Sequence, residues 1–421
     1  MSLKPHQQTW RLVIAMALAL GFAPGHAQTV SLAELNARLL EGNPDIAIAA
    51  AALRGADALV RSADTSPNPT LGYGASSISN TQGIGSGPLK DKRIDQVLRI
   101  DRTFERGDKR ALRTGAARAG ARAGQLDLAD STRTARMQLV SAYYDLLSAQ
   151  ERGAAADEAQ QSSAKLVRIA RLRQKEGDLS IADLTRIDID LSRATNDAQS
   201  ARLDVLRAQE TLALLLNEKP ARAYQALDEW PVTGPSAPGE DAIAALVERR
   251  PDVQAAQQRV DQARQALSLA QAQRKRDVSL GAQVERNPAQ TSGATFGVFV
   301  SLPLFIGNDY AGDIDKARAD LDMAGLQLDK ARAAARGDWR RMSGELASLS
   351  GRWLRYRDDI LPNVVRSNRA ADLAFRSGAI SIADLLDAQR TARALQAEAV
   401  QAHADLAKSQ LNVDIMKQDT P

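Results

Sequence analysis

The sequence contains one eight-residue motif twice, and this duplication limits the folds that are open to the chain. The copies are Gly-Asp-Leu-Ser-Ile-Ala-Asp-Leu from Gly177 and Gly-Ala-Ile-Ser-Ile-Ala-Asp-Leu from Gly378. Glycine is typical of the residue that ends a helix, and Ser-x-x-Asp is a capping box that starts the next one. Each copy therefore predicts the turn of a helical hairpin, and the chain is a duplicated unit.

Each half also contains a helical pattern that is too long for a compact domain. No proline occurs from Gly107 to Glu176, and a helix of about 70 residues would reach about 105 Å. Its apolar residues keep the narrow 3,4 spacing of a coiled coil. Only 4% of the chain is aromatic, which likewise favours elongated helices over a large globular core. In the second half, Pro362 predicts a bend.

The hydrophobic period changes from 3.6 to 2 in four segments, at residues 70–78, 94–104, 278–285 and 296–304. This alternation predicts two β-hairpins. Their apolar face contains Leu71, Tyr73, Leu98, Ile100, Leu280, Val284, Val298, Val300 and Leu302. Nothing adjacent in the sequence covers this face, so it predicts either a soluble sandwich or the lipid-facing strands of an outer-membrane barrel. Even small barrels need about eight strands, so a barrel requires several copies of the chain.

The order of these segments predicts the organisation of the chain. Residues 1–27 have the basic start, apolar stretch and small-residue cleavage site of a signal peptide, so we expect the mature chain to begin at Gln28. Residues 28–220 form the first repeat, 221–240 a proline-rich connector, and 241–421 the second repeat. Each repeat starts with a helix that is interrupted at x-Pro-Asp. No later apolar run is long enough for a membrane-spanning helix.

The composition argues against catalysis and metal binding. The chain has no cysteine, which excludes disulfides, thiolate metal sites and an N-terminal lipid anchor on cysteine. His403 is the only histidine after residue 27, so the mature chain has no catalytic triad and no histidine cluster for a metal. The Gly83–Gly87 stretch lacks the lysine of a phosphate loop. We therefore predict no catalytic residue, cofactor or metal site, and the low net charge does not favour nucleic acid.

Two segments carry a resemblance to a known family. They are Gly378–Arg390, which includes Asp-Leu-Leu-Asp-Ala-Gln-Arg, and Val298–Phe305, with Gly307-Asn308 after it. With the duplicated order of helices and strands, the mature chain resembles the TolC-like outer-membrane efflux channels. Leu-Pro-Leu-Phe at 302–305 and Asn308–Gly312 are similar to the cobalt-zinc-cadmium resistance branch. The first half departs from the family, because Arg102-Thr103-Phe104 stands where Gln-Pro-Leu or Gln-Pro-Phe is usual.

The resemblance implies a mainly α-helical chain with a β-barrel part. Three copies would close one transmembrane barrel of twelve strands, continued by an α-helical barrel across the periplasm. The implied function is the outer-membrane channel of a tripartite efflux system, a passive gated conduit for metal ions or drugs. Its partners would be a periplasmic adaptor, an inner-membrane pump of the resistance-nodulation-division type and outer-membrane lipid. The adaptor would contact the two turns at Gly177, Leu179, Ser180, Asp183, Gly378, Ile380 and Ser381.

Three residues near the second turn are candidates for the pore. Asp384 and Asp387 lie three apart on one helical face, and Arg390 follows one turn later. Family resemblance implies that the acids line a constriction and that Arg390 ties the closed state through salt bridges. Asp384 can also be explained as the acid that completes the capping box of Ser381, since Asp183 stands at the same place in the first copy. Asp387 has Arg186 as its counterpart, so capping does not explain it, although an acid is favoured at any helix N-terminus.

Two other classes of function stay open from the sequence. The same architecture occurs in the outer-membrane channels of type I protein secretion systems, which an adjacent ATP-driven exporter would distinguish. An exported structural protein with coiled-coil helices and β tips would instead be soluble without detergent. The residues do not decide among metal ions, drugs and polypeptides as cargo.

Overall fold

A computed structural model describes residues 28–78, 88, 94–219, 223–231, 239–287 and 293–418. The predicted signal peptide lies outside the described residues, as do parts of both hairpin tips and of the connector. The described chain is mostly helical, as the sequence predicts. Its helices are α1 Leu32–Gly42, α2 Pro44–Ala63, α3 Lys109–Glu176, α4 Ile181–Leu215, α5 Glu240–Arg249, α6 Pro251–Ala272, α7 Ala311–Arg355, α8 Leu361–Arg376 and α9 Ile382–Gln418.

Six strands accompany these helices. They are β1 Gln28–Val30, β2 Thr70–Ser76, β3 Asp95–Phe104, β4 Tyr224–Ala226, β5 Val278–Arg286 and β6 Ala294–Ser301. The predicted duplication is visible in the order of elements, because two short helices, two strands and long helices occur in each half. Among the described helices, none combines the length and the hydropathy that crossing a membrane requires.

The two x-Pro-Asp interruptions each separate a pair of short helices. Asn43 is buried and its side-chain oxygen accepts hydrogen bonds from the backbone N–H groups of Asp45 and Ile46, at 3.0 and 3.1 Å. It therefore caps α2, whose first residue is Pro44. In the second half, the buried Arg250 precedes Pro251 and forms an ion pair with Asp252 at 2.7 Å. The same chain path is thus stabilised by different contacts in the two repeats.

Pro362 changes the helix that contains it. A π-helical segment, Tyr356–Ile360, joins α7 to α8, and the Leu361 N–H bonds to the Tyr356 carbonyl, five residues earlier. Proline has no N–H and cannot continue the usual ladder, so the preceding turn widens. The Asn363 side chain donates to the carbonyl oxygen of Asp359 at 2.9 Å.

The chain forms two compact units, and each draws on both predicted repeats. The first unit contains the described parts of 1–47, 131–243 and 338–419. In it, the short strands β1 and β4 pair in parallel. Tyr143 is fully buried, and its hydroxyl donates to the carbonyl oxygen of Val30 and accepts from the N–H of Asp228. The connector strand is thereby fixed against α3.

The second unit contains residues 48–130 and 244–337, within the described ranges. Its four-stranded antiparallel sheet has the order β2-β3-β5-β6. Pairing of β3 with β5 joins the two predicted hairpins into one sheet, with Ile100 opposite Ala282. Lys109, buried at the start of α3, donates to Asp277 and to the Lys275 carbonyl, at 2.9 and 2.8 Å. This contact fixes the start of α3 beside the segment that leads into β5.

The end of one strand shows that one residue was wrongly predicted to lie in a strand. Leu302 lies beyond β6, which ends at Ser301, although the alternation to residue 304 predicted it as a strand residue. Pro303 follows and has no N–H to donate to a ladder, so pairing stops before it. Ser77 similarly follows the end of β2 with a positive φ of 61°. The alternation of apolar residues thus continues beyond the hydrogen-bonded strands.

Candidate functional site

The two turns of the repeated motif have the same backbone geometry. Gly177 and Gly378 have φ angles of +89° and +77°, a left-handed conformation that favours glycine. The N–H of Asp178 bonds to the Arg173 carbonyl at 2.9 Å, and that of Ala379 to the Ala374 carbonyl at 2.8 Å. This six-to-one bond ends α3 and α8 in the same way. The prediction of two helical hairpins is confirmed.

Serine caps the helix that follows each turn. The Ser180 hydroxyl accepts the N–H of Asp183 at 3.0 Å, and Ser381 accepts that of Asp384 at 3.2 Å. In the second turn, the Asp384 carboxylate also accepts from the N–H and the hydroxyl of Ser381, at 3.1 and 2.7 Å. These hydrogen bonds lower the pKa of Asp384 below its usual value. Capping therefore accounts for the position of Asp384.

An apolar cluster in the first unit joins the two hairpins. Its buried members come from α3, α4 and α9, and they are Val167, Ala170, Ile187, Ile382, Leu385 and Leu386. Leu179 and Ile380, one from each turn, pack against this cluster and are half-buried. Gly177, Ser180, Gly378 and Ser381 remain exposed. The turns thus present polar backbone and serine to their surroundings, and the first turn also presents Ile181, which is 73% exposed.

Asp387 is exposed, one turn beyond Asp384. Both carboxylates border a groove between α8 and α9, and Asp359, Asn363 and Thr391 also line it. Within the described part of the chain, Asp387 has no hydrogen-bond or ion-pair partner. The structure therefore offers no packing or capping role for Asp387. The proposed pore role of Asp387 stays a prediction.

Arg390 belongs to a polar cluster around the buried Asp190 that links three helices. Its Nε lies 3.0 Å from Oδ1 of Asp190 on α4, whose side chain is only 3% exposed. Arg393 approaches the other carboxylate oxygen at 3.6 Å. Ser163 on α3 donates to Asp190 at 3.2 Å and accepts from Arg393 at 3.3 Å. Arg390 thus forms a salt bridge between helices, and its role in gating stays a prediction.

Asp190 and Ser163 were not among the residues predicted from the sequence. A signal was present, because Asp190 lies three residues after Ile187 and four before Ala194, and both of these are buried. An acid at this spacing sits on the apolar face of its helix. Such a carboxylate needs a cationic partner, since a buried unpaired charge is strongly unfavourable.

His403 lies in a stack of aromatic rings in the first unit. Its ring centroid is 3.9 Å from that of Trp353 and 4.6 Å from that of Trp230. Trp230 in turn stacks on Tyr144 and donates to Glu151 at 2.7 Å. Burial lowers the pKa of His403 to about 4, because the charged form loses hydration. His403 is thus a packing residue that holds the connector onto the helices.

One face of the sheet in the second unit is apolar and uncovered. The ladder aligns Tyr73, Leu98, Val284 and Phe296 in one row. The next row contains Leu71, Ile100, Ala282 and Val298, and Leu280 pairs with Val300 beyond it. Val298 is 87% exposed and Phe296 84%. The predicted lipid-facing residues within the strands therefore share one face, and Leu302 continues beyond it.

The opposite face of the sheet is polar and internally paired. Arg99 donates two hydrogen bonds to Asp101, both of 2.7 Å, and its guanidinium lies 4.6 Å from the ring centroid of Phe299. Asp101 lies over Gly281, where a side chain would meet its carboxylate. Across the described residues, no group of three or more His, Cys, Asp or Glu could hold a metal ion.

Comparison with known proteins agrees with this architecture. The sequence profile of the family described as outer membrane efflux protein matches residues 35–218 and 242–415. The chain is 28% identical over 299 residues to the cobalt-zinc-cadmium resistance protein CzcC of Cupriavidus metallidurans, covering 68% of each protein. The two ranges matched by the family profile contain both turns and the whole four-stranded sheet.

Two solved structures share the fold. The outer membrane channel CmeC of Campylobacter jejuni matches 92% of this chain and 86% of its own, with a TM-score of 0.77 and 17% identity. The outer membrane protein VceC of Vibrio cholerae matches 91% of this chain and 95% of its own, with a TM-score of 0.74 and 20% identity.

The polar cluster around Asp190 gives a first prediction. Replacing Asp190→Asn leaves Arg390 and Arg393 without their anion, so we expect the free energy of unfolding to fall by roughly 1–3 kcal/mol. The matched control is Asp372→Asn, which removes an exposed pair with Arg376 and should cost about 0–1 kcal/mol. Thermal unfolding of the purified proteins measures both. Equal losses in the two variants would contradict the role assigned to Asp190.

The aromatic stack predicts a pH dependence. Because the pKa of His403 is lowered to about 4 in the fold from about 6.5 in an unfolded chain, the unfolded state binds the proton more readily between these values. The stability of the wild type should therefore fall as pH is lowered from 6.5 to 4. His403→Phe should remove this pH dependence, which is measured by comparing the free energy of unfolding of the two proteins across this pH range. The same dependence on pH in both proteins would contradict the role assigned to His403.

Proposed function

Because the chain belongs to the outer membrane efflux protein family, we propose that three copies form one channel that conducts metal ions out of the cell. Outer-membrane localisation and a non-enzymatic efflux function follow from the family. The trimer, its partners and its cargo are the proposed part.

The uncovered apolar face of the sheet is the observation that carries this proposal. Strands β2 and β6 are the edges of the sheet and pair on one side only. Edge strands with free backbone groups are avoided in membranes, where every such group must be satisfied. Joining β6 of one copy to β2 of the next removes the edges. Three copies supply twelve strands, within the range of outer-membrane barrels, and the apolar face meets lipid.

The two hairpin turns are the proposed contacts for a periplasmic adaptor. Their exposed residues Gly177, Ser180, Gly378 and Ser381 form two similar surfaces, so one adaptor motif could be used at both. The turn acid Asp183 carries the same capping role as Asp384 and adds a contact with Arg186 at 3.5 Å. An inner-membrane pump of the resistance-nodulation-division type would drive transport, since we predict no catalytic or cofactor site in this chain that could supply the energy.

We assign the constriction to Asp387, with Asp384 beside it, and the closed state to Arg390. Asp387 is exposed and has no structural task among the described residues. Three copies of an acidic residue around one axis would attract cations and repel anions. The Arg390–Asp190 salt bridge ties α9 to α4, so it opposes any separation of the second hairpin from the first.

Metal ions are the proposed cargo because of the relative CzcC, whose name gives cobalt, zinc and cadmium resistance. The chain would conduct these ions without holding them. Acidic residues at the constriction suit divalent cations as cargo. Selectivity would reside mainly in the pump.

Single-channel recording tests the channel and its constriction together. The wild-type protein should conduct in planar bilayers with a preference for cations, and Asp387→Asn should reduce that preference several-fold because three charges leave the constriction. Asp178→Asn is the matched control, since it removes an exposed acid from the first turn. No conductance from the wild type would contradict the channel, whereas an unchanged Asp387→Asn would contradict only the constriction.

Metal export can be measured in a host that lacks its own efflux systems. Cells that express this chain with its neighbouring adaptor and pump should accumulate less zinc, cobalt or cadmium than cells that express only the adaptor and pump. Accumulation of a dye that drug pumps export is the matched control and should not change. Reduced dye accumulation with unchanged metal content would contradict the proposed cargo.

A further inference from the structure

The apolar face of the sheet contains an arginine near its helical end. Arg102 follows the same alternation as Leu98 and Ile100, and it pairs in the ladder with Leu280. Its guanidinium carbon lies 5.3 Å from the ring centroid of Phe104, within the range of a cation–π contact. A cation is therefore placed on the same face as the exposed apolar side chains, close to the point where β3 leads into α3.

Two further arginines extend this position beyond the strands. Arg106 lies two residues after the end of β3, and Arg276 two residues before the start of β5. The backbone N–H of Arg106 bonds to the Asp277 carboxylate at 2.9 Å, so the two segments are neighbours. The Arg276 guanidinium carbon lies 5.6 Å from the ring centroid of Phe305. Both arginines are exposed.

Four of the acids near this end of the sheet already have partners. The ion pairs, with their closest N–O distances, are Lys109–Asp277 at 2.9 Å, Arg110–Asp64 at 3.1 Å, Arg113–Glu105 at 2.8 Å and Arg274–Asp309 at 3.9 Å. By contrast, no acidic side chain pairs with Arg102, Arg106 or Arg276 in the residues that the structure describes. Three guanidinium groups thus remain available at the border of an apolar surface.

Apolar side chains continue along the same border. Leu302, Leu304 and Ile306 follow β6 and are exposed, Ile306 to 87%. Phe104 is also exposed, at 43%. Cationic and aromatic side chains at the edge of an apolar band are typical of the region where lipid headgroups lie. A protein partner would more readily be expected on a surface without this graded change from apolar to cationic.

We propose that Arg102, Arg106 and Arg276 bind the phosphate of an anionic phospholipid headgroup at the helical end of the sheet. The site rests on the function proposed above, which places the apolar face in lipid and this border on its periplasmic side. The guanidinium fork matches the oxygens of a phosphate. The net negative charge of the headgroup neutralises cations that have no acid of their own, and each such residue attracts anionic lipid.

Native mass spectrometry of the purified full chain tests this site. Protein in detergent is incubated with equal amounts of phosphatidylglycerol and phosphatidylethanolamine, and the retained lipids are counted. The wild type should retain phosphatidylglycerol in preference. Arg102→Gln, Arg106→Gln and Arg276→Gln together should abolish the preference for phosphatidylglycerol, because each arginine is expected to contribute about fivefold to it. The matched control combines Arg173→Gln, Lys175→Gln and Arg193→Gln, three exposed helical cations, and should keep the preference.

Arg106→Gln alone keeps the test decisive if the triple variant does not fold, because Arg106 lies outside the strand ladder. It should lower the preference about fivefold. Equal retention of both lipids by the wild type, or an equal loss of preference in the control, would overturn the site while channel conductance still supports the proposed function. A preference that survives in the arginine variants would overturn it as well. Failure of the wild type to enter bilayers would overturn both proposals.

Discussion

The structure depends on an apolar sheet face that the described chain leaves exposed. The transfer of one large apolar side chain from water is favourable by roughly 1.5–3 kcal/mol, and Tyr73, Phe296 and Val298 are all more than half exposed. The opposite face has the reverse character, since Arg99 and Asp101 pair with each other over Gly281. A sheet with one polar and one apolar face suits a wall between water and lipid.

The helical hairpins have a different source of order. The apolar cluster of Ile187, Leu385 and Leu386 contributes free energy but little direction, because burial of apolar surface does not depend on orientation. Asp190 makes the packing depend on orientation, since its two carboxylate oxygens face Arg390 and Arg393. The cluster and the salt bridges together define how α9 packs against α4.

Much of the fold was predictable because its signals are local. Gly177 and Gly378 end their helices through a conformation that glycine favours, and Ser180 and Ser381 start the next ones. Pro44 and Pro251 begin helices for the same kind of local reason. The strand alternation identified the apolar face but overran its end at Leu302, because the apolar pattern continues where Pro303 prevents pairing. The pairing of Arg390 with the buried Asp190, the stack around His403 and the pairing of β3 with β5 were not predicted.

The sequence by itself determined the repeats, the helix ends, the two faces of the strands and the family. The helix ends and the strand faces depend on residues within about one turn or one hairpin of each other, and the repeats and the family on the recurrence and order of such local motifs, so the residue spacing is enough to identify them. The tertiary structure decided which of the charged residues are buried and paired. Asp190 and Arg390 are 200 positions apart, and the spacing along a single helix does not show that they meet. Long-range contacts depend on how helices pack, and that packing exists only in the folded chain.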